Sequence, residues 1–418
     1  MTFLPQPRRR PLQRLLALGL VWLLSLALPV APALALNDGQ QLVVESWRLV
    51  NQSYVDPQRF ETIHWKRLRQ KALERPIQTS SDAYDAIDWM LEPIGDPYTR
   101  LLRPADFSAL KASTQGSVSG VGLQLGIRSD DTAIVVIAPL EGSPAAEAGI
   151  SSGSELLRVD GLATRELGLE ATAARLRGPE GSSVLIELRP PGGRPREVDL
   201  KRRRVDLQPV RQRLLERQGH RLGYLRITQF AEPVPLQVAE ALQALQQQGI
   251  EGLVLDLRNN SGGLVSAGLA VANDLLDGGP VVETRNRDGF SDAQQAGRGQ
   301  LYAGPMLTLV NGGTASASEI LAGALQDDER SQLLGSRTFG KGLIQTLIGL
   351  GGDGSGLAVT VARYVTPSGR DIQNLGIEPD RPLPEPEPLE PGGAEDTWLD
   401  AALNQLAADL DSPERSAG

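Results

Sequence analysis

The 418-residue chain has no cysteine, two histidines and an aromatic content of only 4%. The first absence excludes disulfides, thiolate metal sites and cysteine nucleophiles together. The second leaves a Ser-His-Asp arrangement poorly served, because His64 lies among Trp65, Lys66 and Arg67 in a helical stretch and His220 in the polar run "ERQGHR". The third means that packing rests on Leu, Val, Ile and Ala, and that no aromatic platform is offered to nucleic acid. A net charge of −9 argues the same way. With 40% apolar and 22% charged residues, the balance is still that of a globular protein with room for two or three domains.

Long apolar runs are scarce too, apart from one near the start. Arg8, Arg9, Arg10 and Arg14 precede an apolar run from Leu15 to Leu28, then Pro29 and the small-residue stretch "APALAL". The run is shorter than the roughly 20 residues of a membrane span, and Ala33-Leu34-Ala35 offers a cleavage site. Residues 1–36 are therefore expected to be a signal peptide, with a retained anchor as the alternative. Its removal leaves 38 basic against 51 acidic residues, or −13, of which residues 381–418 carry −7 through nine acids and two arginines. More than half of the net charge thus sits in the tail.

Texture divides the rest of the chain, and the expected fold class is multidomain α/β. Residues 37–115 show helical apolar spacing, as in "VVESWRLVNQSYV" and "DAYDAIDWMLEPI", broken by Pro57, Pro76 and Pro93. Residues 116–204 turn to short β-rich runs punctuated by glycine, with two short helices and a hairpin at Pro191-Gly192-Gly193. Residues 205–384 alternate strands such as "LGYLRIT", "GLVLDLR", "MLTLVN" and "QLLGSR" with amphipathic helices over 235–247, 264–276 and 316–325. That alternation predicts an α/β domain with buried, largely parallel strands. Residues 385–418 form an acidic, Pro-rich tail, in which the stretch "PLPEPEPLEPGG" is expected to be extended and solvated and a short helix is expected over 398–410.

In α/β sheets, function collects where strands end and helices begin. Two such junctions are rich in glycine: "LRNNSGG" and "VNGGTASASEILAGAL", the latter spanning residues 310–325. A serine at a helix N-terminus can attack a carbonyl while neighbouring amides hold the oxyanion. Ser316 and Ser318 both qualify, yet "SASE" before an apolar helix is also an N-cap signal, and alone it favours capping. With histidine unsuited, the base would be a lysine whose pKa has been brought from about 10.4 toward 7 or 8 by desolvation, at a cost on the order of 4 kcal/mol. Lys341 in "TFGKGLIQT" is the only lysine of residues 205–384 and lies between two glycines.

These stretches, with "YVTPSGRDIQNLGIEPD", "VNQSYVD", "DPYTRLL", "GVGLQLG" and "RLRGPEGSS", resemble the carboxyl-terminal processing peptidases. Members are exported serine endopeptidases with a PDZ domain and a Ser-Lys mechanism. The motifs follow the family's order from the N-terminal helices to about Asp380 and are most similar to the cyanobacterial and plastid branch that trims the photosystem II reaction-centre precursor. The resemblance implies a crotonase/ClpP-like protease core, with Ser316 as nucleophile, Lys341 as base and Gln345 orienting the lysine. It also implies the N–H groups of Ala317 and Gly262 as oxyanion donors, a capping or packing role for Ser318, and no metal or other cofactor; Asp327 matches a family position sometimes linked to activity, but is expected to give structural support, because a carboxylate near the lysine would raise the pKa that has to fall.

The stretch Gly120, Val121, Gly122, Leu123 is by itself an ordinary glycine turn. Followed by "GSPAAEAGI" and "LLRVDG", it resembles the loop with which PDZ domains capture a C-terminal carboxylate. Arg177 is then a candidate sensor of the bound tail. The implied partners are proteins with a free apolar C-terminal tail, in the thylakoid lumen or periplasm. No nucleic acid is implied, and no membrane span after signal cleavage, although peripheral association is compatible. The rival reading is a catalytically inactive PDZ tail-binding or lipid-binding protein on the same fold, against which the joint presence of Ser316, Lys341 and Gln345 argues.

Overall fold

The computed structural model describes residues 36–412 except 116, 129–132, 207, 290 and 389–390. The expected signal peptide, Leu36 apart, and residues 413–418 lie outside the described residues.

The chain opens with α1 (Asp38–Ser53), α2 (Pro57–Thr62), α3 (Trp65–Leu73) and α4 (Ser80–Leu91). Asn37 with Gln40, and Thr79 with Asp82, form reciprocal capping boxes that fix two of the helix starts. The apolar faces close over Val43, Val50, Trp65, Ile87 and Met90, and the same cluster takes in Leu357 and Val359 of the α/β region. The helical region is therefore packed onto the core. From it β1 (Arg100–Leu102) leads into α5 (Pro104–Thr114).

Next comes a mostly β unit: β2 (Ser117–Gly120), β3 (Leu123–Ile127), β4 (Ile134–Pro139), α6 (Pro144–Glu147), β5 (Glu155–Val159), β6 (Leu162–Ala163), α7 (Thr164–Leu176), β7 (Ser183–Arg189), β8 (Arg196–Lys201) and β9 (Arg203–Asp206). β2 and β9 pair as a stem where the chain enters and leaves. The remaining strands form a sheet in the order β3-β4-β5-β7-β8, with β6 on β5, which leaves β3 at one edge. β7 and β8 make the expected hairpin.

The α/β region contains β10 (Val210–Arg217), β11 (His220–Ile227), α8 (Val234–Gln247), β12 (Gly252–Asp256), α9 (Val265–Leu275), β13 (Pro280–Asn286), β14 (Ser291–Gln295), β15 (Met306–Val310), α10 (Ala317–Asp327), β16 (Gln332–Gly335), β17 (Leu343–Gly349), β18 (Gly356–Val365) and β19 (Arg381–Pro382). One sheet runs β10-β11-β12-β15-β16-β19 and is parallel from β11 onward. β12 and β15 are buried at every position, which explains their unbroken apolar sequence. Leu253 and Leu255 face α8, α9 and α10, whereas Val254 points to the opposite face.

A second, antiparallel sheet is signalled in the sequence only by its central strand β18, the run "GLAVTVARYV" after the turn "GGDGSG". It runs β1-β18-β13-β14, with β17 on the other side of β18. Its outlying strands are half-buried and polar, as in "ETRN" and "SDAQQ", so they lack the apolar run that marks a buried strand.

In the tail, residues 384–386 are exposed as expected and the expected helix forms, but that helix is packed on the sheet rather than solvated. Residues 397–411 form α11 (Thr397–Asp411), which covers the free face of the parallel sheet through Trp398, Leu403 and Leu406. Trp398 is fully enclosed and donates its indole N–H to the Pro384 carbonyl at 2.8 Å; truncating such a residue costs about 3–5 kcal/mol. Asp396 caps α11 by accepting the Leu399 N–H and takes both arms of Arg258 at 2.9 and 2.6 Å. Arg258 is itself buried and also grips Asp256. Acidic composition suggested a solvated strap, but two of these acids are partners of buried groups: Asp396 for Arg258, and Glu387 for Asn311.

Candidate active site

The strand β15 ends in "NGGTAS", a turn stitched to the end of β12. Asn311 Oδ1 accepts the N–H groups of Gly313 and Asn259, Thr314 Oγ1 donates to the Leu257 carbonyl at 2.9 Å, and Ala315 N–H donates to the Asn260 carbonyl at 2.9 Å. At the bend Ser316 adopts φ +58°, ψ −120°. This conformation is strained for a side-chain-bearing residue, by on the order of 1–3 kcal/mol, and it is the geometry of a sharp strand-to-helix elbow. Ser316 is half-buried, so its hydroxyl can be reached. Ser318 is enclosed in the core and its hydroxyl has no hydrogen-bond partner. The structure therefore separates the two serines by accessibility.

Behind Ser316 stands Glu319, fully buried, whose carboxylate gathers four donors. Oε1 accepts from Thr338 Oγ1 at 2.5 Å and Gly340 N–H at 2.8 Å; Oε2 accepts from Ser316 N–H and Lys341 N–H, both at 2.9 Å. Burial pushes this carboxyl upward, while the four donors favour its ionised form. On the other side the Tyr364 hydroxyl lies 2.9 Å from the Ser316 carbonyl oxygen and 2.6 Å from that of Lys341. Two side chains thus hold the backbones of Ser316 and Lys341 together. Phe339 N–H adds a bond to the Thr314 carbonyl at 3.0 Å.

The Lys341 amine is depressed from 10.5 to about 8, chiefly by burial and then by Arg100, against the opposing pull of Glu319 and Asp96. Its Nζ does not bond Ser316 in this conformation. It lies over the Tyr98 ring, 4.9 Å from the centroid. Gln345 does not hold the lysine either, but donates to Thr360 Oγ1 at 3.3 Å. The three residues expected to form one hydrogen-bonded chain are neighbours in the fold without being so connected.

The oxyanion donors also divide. Ala317 N–H, at the first turn of α10, has no partner among the described residues and points from the positive end of the helix. Gly262 packs its Cα against the elbow: a Cβ there would come within 2.7 Å of the Ala315 carbonyl and 3.0 Å of the Ala317 nitrogen. Its N–H is engaged with Asn260 Oδ1 at 2.9 Å, which corrects the expectation of a free donor at that residue. Among the described residues, the N–H groups of Ser261 and Gly263 in this turn have no hydrogen-bond partner. Asp327 accepts from Ser368 N–H and Arg370, a structural role as expected.

At the β unit the Gly120–Leu123 loop is fixed by Ala145 N–H on the Val121 carbonyl and Leu140 N–H on the Gly122 carbonyl, while the N–H groups of Val121 and Gly122 have no partner among the described residues. Gly122 sits at φ +76°, where a Cβ would lie 2.1 Å from that of Ser143. The loop borders a cavity of about 180 Å³ that Leu176 and Arg177 of the α7 end also line. Arg177 is paired with Asp106 of α5. This unit also docks on the elbow. Ser152 Oγ donates to Asn259 Oδ1 at 2.6 Å, and a Cβ on Gly313 would lie 2.8 Å from the Ile137 carbonyl.

Sequence reasoning missed Glu319, Tyr364, Tyr98 and Asp106. Glu319 was visible as the fourth residue of "SASE" but explained by capping alone. Tyr98 stood in "DPYTRLL" with no chemistry of its own to mark it. Neither histidine approaches the elbow: His220 bonds Glu251 and Asp411, and His64 is exposed at the start of α3. No metal-binding cluster of His, Asp or Glu exists among the described residues.

Residues 221–383 match the model of peptidase family S41, and residues 135–190 that of the PDZ domain. The chain is 46% identical over 385 residues to a carboxyl-terminal-processing protease of Picosynechococcus sp., covering 91% of this chain and 92% of that protein. It is 41% identical to a chloroplastic C-terminal processing peptidase of Tetradesmus obliquus, covering 86% of this chain and 80% of the relative. Among solved structures it is similar to a photosystem II D1 C-terminal processing protease, with a TM-score of 0.75, 40% identity, and coverage of 86% of this chain and 96% of that one.

Proposed function

Since the chain belongs to the carboxyl-terminal-processing peptidases of family S41 and is a serine endopeptidase with a PDZ domain, we propose that Ser316 is its nucleophile and Lys341 its general base. The observation that carries this reading is the double tether: Glu319 binds the two backbone N–H groups and Tyr364 the two carbonyls, bringing the only lysine of the core beside the strained serine. Neutral Lys341 takes the Ser316 proton as Oγ attacks the scissile carbonyl, then returns it to the leaving amine. Ala317 N–H and a donor of the 262–263 turn hold the oxyanion. Once the lysine leaves Tyr98, Gln345 can orient it without adding charge.

The Gly120–Leu123 loop captures the free carboxylate of an apolar tail, and Arg177 senses its arrival. The domains run 37–115, 116–204 and 205–384, with a core of the crotonase/ClpP-like class supported by its parallel sheet and the serine at a helix N-terminus. No helix among the described residues is long and apolar enough to cross a membrane. The enzyme acts in the thylakoid lumen or periplasm, and its substrate class includes the C-terminal extension of the photosystem II reaction-centre precursor. The test is cleavage of a peptide ending in a free apolar carboxylate, and of its amide, by the wild-type protein and the Ser316→Ala and Lys341→Ala variants. Cleavage persisting in either variant refutes the dyad, and equal cleavage of acid and amide refutes tail selection.

A further inference from the structure

Charge is unevenly spread over the N-terminal helices. Residues 37–115 hold ten basic and eleven acidic residues, yet the run "WKRLRQKALER" over 65–75 holds five basic residues against one acid, a net +4. α3 buries Trp65 and Ala72, which turns Lys66, Arg67 and Lys71 outward and leaves them exposed. Most acids around them are occupied: Asp56 caps α2, Asp82 closes the capping box of α4, Asp85 and Asp88 meet Arg103, and Glu74 accepts from Gln70 at 3.3 Å. Among the described residues, none of the five basic side chains has an ion-pair partner. Two of them lie on tryptophan instead. The Arg69 guanidinium is 4.3 Å from the centroid of the Trp47 ring, and that of Arg75 is 5.4 Å from the Trp89 ring. Both rings are half-buried, so apolar carbon and cation reach the molecular surface together, the combination that suits the boundary between lipid headgroups and acyl chains.

We propose that the outer face of α3 docks the protease on a bilayer rich in anionic lipid. The face lies beside the point where residues 1–36 join the fold, since the Asn37 side-chain amide donates to the Ile77 carbonyl at 2.9 Å, just past the end of α3. Long basic side chains on an exposed helix face, with no fixed acceptor, match a fluid sheet of headgroup charges; a folded acidic partner would call for a groove and set acceptors. The rest of the chain is acidic, which makes the attraction directional. At about 0.1 M salt, charges more than about 10 Å away are largely screened, so only an approach through α3 is favourable. Each lysine or arginine held near such a surface strengthens binding about fivefold. The helices are one packed body with β18, whose Thr360 carbonyl accepts the Val55 N–H at 2.9 Å and whose Tyr364 holds the backbones of Ser316 and Lys341. A membrane that binds α3 therefore holds the elbow at a set distance from its surface.

The experiment is co-sedimentation of residues 37–418, which hold every described element of the fold, with vesicles of phosphatidylcholine alone or with about 30% phosphatidylglycerol, at about 0.1 M salt. The wild-type protein should bind the anionic vesicles and not the neutral ones, with a blue shift of its tryptophan emission, and should be released by about 0.5 M salt. Lys66→Gln, Arg67→Gln and Lys71→Gln together should weaken partition about 100-fold. Arg194→Gln, Lys201→Gln and Arg298→Gln together remove the same charge from other exposed positions and should leave partition within about twofold of wild type. Cleavage of a soluble free-acid peptide should be equal in all three proteins, which shows that the variants are folded. Equal binding to the two kinds of vesicle, wild-type binding by the α3 variant, or an equal loss in both triple variants would overturn the proposal. So would displacement from the vesicles by soluble polyglutamate at equal charge concentration, which would assign the face to an acidic protein instead.

Discussion

Replacing Lys341 by methionine should destroy activity and at the same time stabilise the fold. The amine is depressed from 10.5 to about 8 because burial and Arg100 disfavour its charge. At ~1.4 kcal/mol per pH unit this shift is a folding cost on the order of 3 kcal/mol. Methionine is unbranched and fills a similar volume without charge, and the lost contact with Tyr98 returns ~0.5–1 kcal/mol, so a net gain of about 2 kcal/mol is expected. The sign follows from proton binding. Below pH 8 the lysine is charged in both states and the whole cost is present. Between pH 8 and 10.5 only the unfolded chain holds the proton, so wild-type stability rises with pH. Above 10.5 the cost is gone. Urea unfolding of the full-length proteins should therefore separate the variant from the wild type near neutrality and bring the two together as pH approaches about 10.5. Equal midpoints near pH 7, or a gap that does not close at high pH, would refute the claim that the fold sustains a depressed lysine.

Glu319→Gln should lower both stability and kcat, by roughly 2–3 kcal/mol in the former, because an amide NH2 must face two of the four donors; unfolding and single-turnover rates measure this. Asp106→Asn should release Arg177 and tighten binding of free-acid tails by roughly 2–5-fold in calorimetry, with amidated tails unaffected; weaker binding of the acid would mean that Asp106 orients the arginine. Gly262→Ala should reduce kcat by on the order of 100-fold, since its Cβ would meet the Ala315 carbonyl at 2.7 Å at φ +96° and displace the turn proposed to hold the oxyanion. The His220 imidazole is raised above 6.5 by its bonds to Glu251 and Asp411, so its stabilising contribution should be complete below pH 6.5 and fade as pH rises through the higher folded value; His220→Gln should remove that dependence from melting curves.

Alternation of apolar strands and amphipathic helices carried the parallel sheet and the helices on it, because strands buried on both faces write themselves as continuous apolar runs. The antiparallel sheet was hidden because β13, β14 and β17 are partly exposed and polar, and because the pairings that join its hairpins, β13 with β18 and β1 with β18, link segments distant in the chain. The pairing of Asp396 was hidden because its partner Arg258 is 138 residues away, and composition cannot report a long-range pair. At the site, Ser316 and Lys341 were legible as residue types in glycine-rich settings. The conformation of the lysine was not, since its neighbours Tyr98 and Arg100 come from the N-terminal region. Gly262 packs against the elbow, but its N–H, expected to be a free donor, is consumed by Asn260, a local contact that residue types alone do not report.

The tether around the elbow draws on the whole length of the chain. Ser316 comes with α10, Lys341 follows it, and Tyr364 arrives on β18, a strand that pairs with β1 from the N-terminal region. Arg258, next to the Asn259-Asn260 turn that supports the elbow, has its partner Asp396 only when the C-terminal segment is present. A chain still lacking either end therefore has the elbow without part of the frame that holds the backbones of Ser316 and Lys341 together: without β1 the strand that carries Tyr364 loses a partner, and without Asp396 the buried Arg258 beside the elbow is left short of its counter-charge.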